Sequence, residues 1–205
     1  MDVECTKRVY TQQGKEKRSI DMKIVALTGA GISKSAGIPT FEEVRGLKSK
    51  LSVEFRDKHP QEFYETMSVL KKNVEGKEPT KAHKALASLL IPIITMNIDG
   101  LHQKAGSKSV FEIHGNCKDG NVVLYGEDIR FRDEVISLII NTAEEAKSNN
   151  EEAVLLVIGT SMQTTFAVFL VWLAEQRGMK VHYINDNADA EVPMFLNKYV
   201  FLPAV

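Results

Sequence analysis

Hydrophobic and polar positions alternate unevenly along the chain, in short apolar runs separated by longer amphipathic stretches. The runs KIVALTG (23–29), IPIITMN (91–97), SVFEIHG (109–115) and AVLLVIGTS (153–161) are rich in aliphatic residues and end in Gly, Asn or Ser. Apolar runs of this length closed by turn residues predict strands buried on both faces, as in a parallel sheet. KVHYIND (180–186) predicts another strand, NVVLY (121–125) a strand or an extended segment, and YVFLPAV (199–205) a closing strand. Between them, AGISKSAGI predicts a helix opened by a glycine-rich turn, and residues 45–78 are mostly helical, with HPQEFYETMSVLKKN the clearest segment. In EPTKAHKALASLL, Pro79 and Thr80 precede apolar positions at Ala82, Leu86, Leu89 and Leu90, a helix with its start signal. Residues 131–148 predict a helix, and FAVFLVWLAEQRG another, with Gly178 just past its end. Residues 1–21 are polar and charged and fit a hairpin, a helix or a loose arm equally. Strands alternate with helices, so the expected fold is α/β, a Rossmann-like doubly wound parallel sheet.

A length of 205 residues suits one domain, or one domain with a small lobe. The net charge of −1 argues against a general nucleic-acid binder. The longest apolar stretch, around Phe166–Ala174, is too short to cross a bilayer, and the N-terminus has no apolar core to act as a secretory signal. Two cysteines, Cys5 and Cys117, fit a reducing cytoplasmic setting and exclude a four-cysteine zinc site within one chain.

Ligands of such sheets bind at the carboxyl ends of the strands. There the chain carries TGAGIS, TMNIDGLH, HGN, GTS and NDN, whose glycines, hydroxyls, amides and carboxylates suit ribose and phosphate groups. TGAGISKSAG has Gly29-x-Gly31, but Lys34 takes the third-glycine position of the dinucleotide fingerprint, and the motif alone also fits a tight turn with no ligand.

Taken together, GAGISKSAGIPTF, PTKAHKALASL, TMNIDGLHQKAG, EIHG, VVLYGE, GTS and IND resemble, in order, the motifs of the sirtuins, NAD-dependent protein deacylases. The resemblance implies one catalytic domain over residues 1–205, with residues 40–80 as a helical cofactor-loop and small-lobe region. It implies NAD as cofactor and an acyl-lysine protein or peptide as substrate. In typical relatives a zinc ribbon separates His-Gly from the Val-Val segment, whereas only NCKDGN lies between Gly115 and Val122 here. The resemblance therefore implies a reduced small lobe with no zinc ribbon and no metal, and leaves Cys117 an ordinary residue.

By the same resemblance, the acyl-lysine carbonyl oxygen attacks C1′ of the nicotinamide ribose, nicotinamide leaves, and His114 is the base for the ribose hydroxyl that attacks next. An imidazole suits that task because its pKa lies near working pH. Asn97 would hold the nicotinamide ribose or a water, and Asp99 the nicotinamide carboxamide; an Asn-x-Asp after a strand also serves turns and helix caps. Gly29, Ala30, Gly31 and Ser33 would line the phosphate and ribose side, Ile38 and Phe41 the nicotinamide pocket, Thr160 and Ser161 phosphate or ribose, and Asn185 the adenine ribose. Core packing fits Ile38 as well, and His102 reads as a packed or surface histidine. Val123, Tyr125, Gly126 and Glu127 would line the acyl-lysine tunnel, with the peptide added as a strand.

Three positions depart from or refine the pattern. Glu42 stands where relatives have an Arg that places the cofactor, with Arg45 near enough to substitute, and Met96 replaces a ribose-contacting Gln. Tyr64 is followed by Met67 rather than by the Arg of succinyl- and malonyl-specific relatives, which favours an apolar acyl group. Retention of His114 and VVLYGE favours lysine deacylation. Glu42, Met96 and the missing ribbon leave open mono-ADP-ribosyl transfer, NAD hydrolysis, or a non-catalytic NAD- or ADP-ribose-binding module.

Overall fold

The computed structural model describes residues 19–20, 22–40, 43–44, 46–198 and 200–201. The strands are β1 (Ser19–Ile20), β2 (Met22–Thr28), β3 (Ile93–Thr95), β4 (Val110–Glu112), β5 (Gly115–Asn116), β6 (Asn121–Val122), β7 (Glu152–Ile158), β8 (Lys180–Ile184) and β9 (Val200–Phe201). The α-helices are α1 (Leu47–Lys50), α2 (Val53–Lys58), α3 (Pro60–Val74), α4 (Lys81–Ser88), α5 (Leu101–Lys104), α6 (Arg132–Asn149), α7 (Thr165–Gln176) and α8 (Ala188–Asn197), with a 3-10 helix over Ala30–Ala36.

The main sheet has the order β4-β3-β2-β7-β8, and every neighbouring pair in it is parallel. The chain builds outward from β2 through β3 to β4, then returns to lay β7 on the other side of β2 and β8 beyond it. The order thus reverses between β2 and β7, the switch point at which doubly wound sheets open a crevice for ligands.

The strands read as unbroken apolar runs because both faces are covered. Val25 and Leu27 of β2 and Leu155 and Val157 of β7 pack with Val135 and Ile139 of α6 and Ala167 and Leu170 of α7. The alternate residues Ile24, Ala26, Val154, Leu156 and Ile158 pack with Ala82 and Leu86 of α4 and Val192 and Leu196 of α8. At Lys81–Ser88 the expected start signal operates: the Thr80 hydroxyl accepts from His83 N–H while the His83 ring accepts from Thr80 N–H. Gly178 follows α7 with φ +80°, as expected past a helix end.

Some expectations change. AGISKSAGI forms a 3-10 helix rather than an α-helix, because Gly31 N–H is tied to Gly159 O (2.8 Å) and Ile32 N–H to Gly29 O (3.2 Å), tightening the first turn. Of NVVLY only Asn121–Val122 is strand, in a hairpin with Gly115–Asn116. Tyr125 beyond it forms a single parallel bridge to Ser52, donating to Leu51 O (2.9 Å) and accepting from Val53 N (3.0 Å). The helical stretch after residue 45 is broken into α1, α2 and α3, whose Leu47, Leu51 and Phe63 close over Leu124 as a small lobe. Val200–Phe201 pairs antiparallel with Ser19–Ile20 outside the main sheet, and the rest of the expected closing strand and of the N-terminal arm lies outside the described residues. Among the described residues, no helix is long and apolar enough to cross a membrane.

Candidate active site

The carboxyl ends of the parallel strands surround a cavity of about 760 Å³. Gly29, Ala30 and Gly31 enter it from the turn after β2, Asn97 from the loop after β3, and His114 from the end of β4. Thr160 and Ser161 enter after β7 and Asn185 after β8, while Val123, Tyr125, Gly126 and Glu127 form the wall toward the small lobe. A second cavity, about 390 Å³, is lined by Ser33, Ile38 and Asp99 and roofed by α3. Ala30, Val44, Asn97 and Ile98 line both, so the two spaces adjoin across these residues. Phe41, Glu42 and Arg45 lie outside the described residues.

Two glycine turns meet at the switch point. A Cβ on Gly29 would stand 2.7 Å from Gly159 O, and one on Gly31 would stand 2.6 Å from Gly159 Cα. Gly159 itself has φ +59°, and a Cβ there would strike Ile32 N. The turns after β2 and β7 are therefore locked together, which brings Thr160 beside the first glycine turn. Thr160 N–H donates to Asn185 Oδ1 (3.2 Å) and fixes the amide at the end of β8.

A buried polar group sits between the cavities. Ser33 Oγ donates to Asp99 Oδ2 at 2.7 Å, Asn97 Nδ2 donates to Ser33 Oγ at 3.3 Å, and Leu101 N–H donates to Asp99 Oδ1 at 2.9 Å. Asp99 thus performs the turn chemistry that starts α5. Each of its oxygens, with one bond so far, keeps acceptor capacity for a further donor. Asn97, Asp99 and Ser33 are all almost fully buried.

His114 Nδ1 lies 3.1 Å from Met96 O. A carbonyl only accepts, so Nδ1 carries the proton of the neutral ring and Nε2 keeps the lone pair. Burial draws the His114 pKa below its ordinary value, partly offset by the Met96 carbonyl. The ring is therefore a neutral base near pH 7. Met96 is itself buried, in the core under α7, with its sulfur accepting from Thr164 Oγ1 at 3.3 Å. Cys117 is buried beneath the smaller cavity, and burial pushes its thiol up to about 11, so it is not a thiolate at neutral pH. His102 is packed in the interior, 1% exposed.

Several lining residues were not singled out from the sequence. Gly159 carried the same signal as Gly29, a glycine closing an apolar run. Thr164 and Phe166 lie three and five residues past the GTS segment. Val44, Lys48 and Leu51 reach the cavity from the small lobe, and nothing local in their sequence marks them.

Known proteins resemble the chain in both sequence and fold. A profile of the Sir2 family matches residues 29–120. A protein from Saccharolobus solfataricus named NAD-dependent protein deacetylase is 44% identical over 110 residues, which cover 49% of this chain and 44% of that protein, so the match spans less than half of the relative's length. Longer matches run to proteins of the same name from Thermodesulfovibrio yellowstonii, 32% identical over 78% of each chain, and from Bacillus cereus, 33% identical over 76% of this chain and 78% of that one. Among solved structures, a Sir2 in complex with the inhibitor EX-527, 2′-O-acetyl-ADP-ribose and deacetylated p53 peptide superposes with a TM-score of 0.67 at 28% identity, covering 86% of this chain and 91% of that one. A Sir2 homologue in complex with NAD shares the fold at a TM-score of 0.71 and 23% identity, covering 86% of this chain and 89% of that one. With relatives more than 30% identical aligned along most of its length, the chain belongs to the Sir2 family.

Proposed function

We propose that the chain removes an acyl group from protein lysine in an NAD-dependent reaction, releasing nicotinamide and O-acyl-ADP-ribose. The observation that carries the reading is one shared cavity: a neutral histidine base, His114, opens onto the same space as the locked glycine turns and the Tyr125–Glu127 segment. A volume of about 760 Å³ lies within the usual range of small-molecule sites.

The residues fit NAD. The Ala30–Ser33 turn, Thr160, Ser161 and Asn185 supply amides and hydroxyls for phosphate and ribose. The buried Asp99, with acceptor capacity left over, suits the two N–H donors of a carboxamide, and Ile38 supplies an apolar wall beside it. NAD, when bound, supplies an electrophilic ribose carbon and nicotinamide as leaving group. Asn97 then orients the ribose or a water, and His114 Nε2 takes the proton of the ribose hydroxyl. Val123, Tyr125, Gly126 and Glu127 hold the acyl-lysine. Glu127 is itself set by Leu124 N–H on one oxygen (3.0 Å) and Arg56 Nη1 on the other (3.1 Å).

The reaction is further proposed to need no zinc and to take place in the cytoplasm. The short β5–β6 hairpin, and the lack among the described residues of any cluster of three or more metal-ligating side chains, support the first point. Two cysteines in the whole chain support both.

NAD hydrolysis or mono-ADP-ribosylation is the second reading, favoured by Met96, which reaches the cavity with a thioether already bonded to Thr164 Oγ1, where the Gln of relatives would offer an amide to the ribose. Mass spectrometry of NAD products with and without an acetylated peptide separates the readings. O-acyl-ADP-ribose appearing only with acylated peptide supports deacylation. ADP-ribose regardless of peptide supports hydrolysis, modified protein supports transfer, and no nicotinamide release leaves a binding module.

A further inference from the structure

Behind the glycine turn, on the side away from the cavity, lie two histidines that the proposed reaction does not use. His83 of α4 and His102 of α5 are 0% and 1% exposed, with ring centroids 4.5 Å apart. Each reaches one end of the turn. His102 Nε2 lies 3.0 Å from the hydroxyl of Thr28, the residue before Gly29. His83 Nδ1 accepts from Thr80 N–H at 3.3 Å and lies 2.7 Å from Thr80 Oγ1, which donates to Ile32 O at 3.2 Å, next to Ser33.

The protonation state of His83 follows from these partners. A backbone N–H only donates, so His83 Nδ1 must keep its lone pair, and the neutral ring carries its proton on Nε2. That Nε2 and His102 Nδ1 are both buried without a partner. Protonating His83 at Nδ1 removes the acceptor for Thr80 N–H and leaves that buried donor unpaired, breaking one arm of the capping box beside Ile32. It also sets a cation against the neighbouring imidazole in a dry interior, where an unpaired charge is costly.

We propose that His83 and His102 are positioning residues that hold the turn Gly29–Ser33 in its ligand-ready shape only while both rings are neutral, so that acidification releases the turn. The ligand side of this proposal rests on the NAD reading above; the release of the turn does not. The charged groups that act on the pair are Asp99, ahead of α5, and Asp189 of α8, both of which favour protonation of His83. Burial outweighs them and lowers His83 to about 4, while His102 is lowered well below its ordinary value by burial and by His83. The free energy linking protonation to opening therefore accumulates as pH falls from about 6.5, where an open-turn histidine titrates, toward about 4.

The test is amide hydrogen exchange of the protein without ligand at pH 7.5 and pH 5, corrected for the intrinsic pH dependence. The amides to follow are Gly29, Gly31 and Ile32, bonded to Ile158 O, Gly159 O and Gly29 O. Their protection should fall about tenfold or more at pH 5 relative to amides of β7, given the span between the open and closed histidines. His83→Gln should retain protection at pH 5, since glutamine at this cap position supplies a neutral acceptor. Should His83→Gln fold poorly, His102→Gln gives the same reading from the other end. ADP-ribose titration of the same proteins adds the functional arm: wild type should bind at least about tenfold more weakly at pH 5 than at pH 7.5, and His83→Gln should flatten that dependence. Equal relative protection at both pH values in wild type, or an unchanged acid loss in both glutamine variants, overturns the proposal. Absence of ADP-ribose binding at every pH overturns the NAD reading and leaves the exchange result to decide the brace.

Discussion

Gly31→Ala adds one methyl group where the turn after β2 crosses the turn after β7. The new Cβ would stand 2.6 Å from Gly159 Cα and 2.9 Å from Gly159 O. Both are backbone atoms, so no rotamer change relieves the contact. Comfortable carbon contacts lie at about 3.5–4.0 Å, so the two turns must part by roughly 1 Å. Overpacking of this kind costs about 1–3 kcal/mol. At roughly 2–4 °C per kcal/mol for a chain of this size, calorimetry should show Tm lower by about 2–12 °C. The same displacement carries Thr160, and with it the Asn185 amide, away from the Ala30–Ser33 segment. A misplacement of about 1 Å at a binding constellation is expensive, so NAD affinity by isothermal titration should fall at least about tenfold. Gly178→Ala is the control. Its φ is +80° with nothing within 4 Å of the added Cβ, and it lies past the end of α7 remote from the cavity. The left-handed backbone costs about 1–2 kcal/mol there, and NAD affinity should not change. If Gly31→Ala keeps both Tm and affinity, or if Gly178→Ala weakens NAD as much, the locked-turn account is wrong.

Other outcomes follow from the proposed roles. His114→Ala should bind NAD within a few-fold of wild type while deacylation falls by about 10²-fold or more, the usual size of a general-base loss; equal deacylation rates would remove His114 from that role. Because burial lowers the His114 pKa and the base must be neutral, activity should fall on the acid side through a pH below the ordinary histidine value of about 6.5, and a limb above that value in a pH–rate profile would contradict the burial argument. Asn97→Ala should reduce nicotinamide exchange as well as deacylation, whereas His114→Ala should spare exchange; identical exchange in the two variants would merge the steps assigned to them. A chelator should leave Tm unchanged, and a tightly held stoichiometric zinc detected by elemental analysis would overturn the zinc-free reading.

The order of strands and helices was legible in the chain because burial on both sheet faces leaves unbroken apolar runs, as in AVLLVIG, and because caps such as Thr80 act through residues three positions apart. The segments at the carboxyl ends were legible for a related reason: a doubly wound sheet places whatever follows each strand at one rim, so the stretches carrying Gly29, Asn97, His114, Thr160 and Asn185 could be gathered from position, and the resemblance singled out these residues within them. Chain order could not show what depends on contact between distant backbones. Gly31 is needed because Gly159, far along the chain, leaves no room for a side chain, and the 3-10 form of the turn follows from that crossing. NVVLY lost most of its strand character because Tyr125 pairs with Ser52 in the small lobe, a partner that no local pattern announces. Motif order singled out Asn97, Asp99 and Ser33, but their joining in one buried hydrogen-bonded group between two cavities arose only when the turn after β2 met the loop after β3. His83 and His102 are ordinary histidines in the sequence. Their shared burial against Thr28 and Thr80 is a property of packing, because only the folded interior removes the water that would otherwise leave each ring free to take a proton.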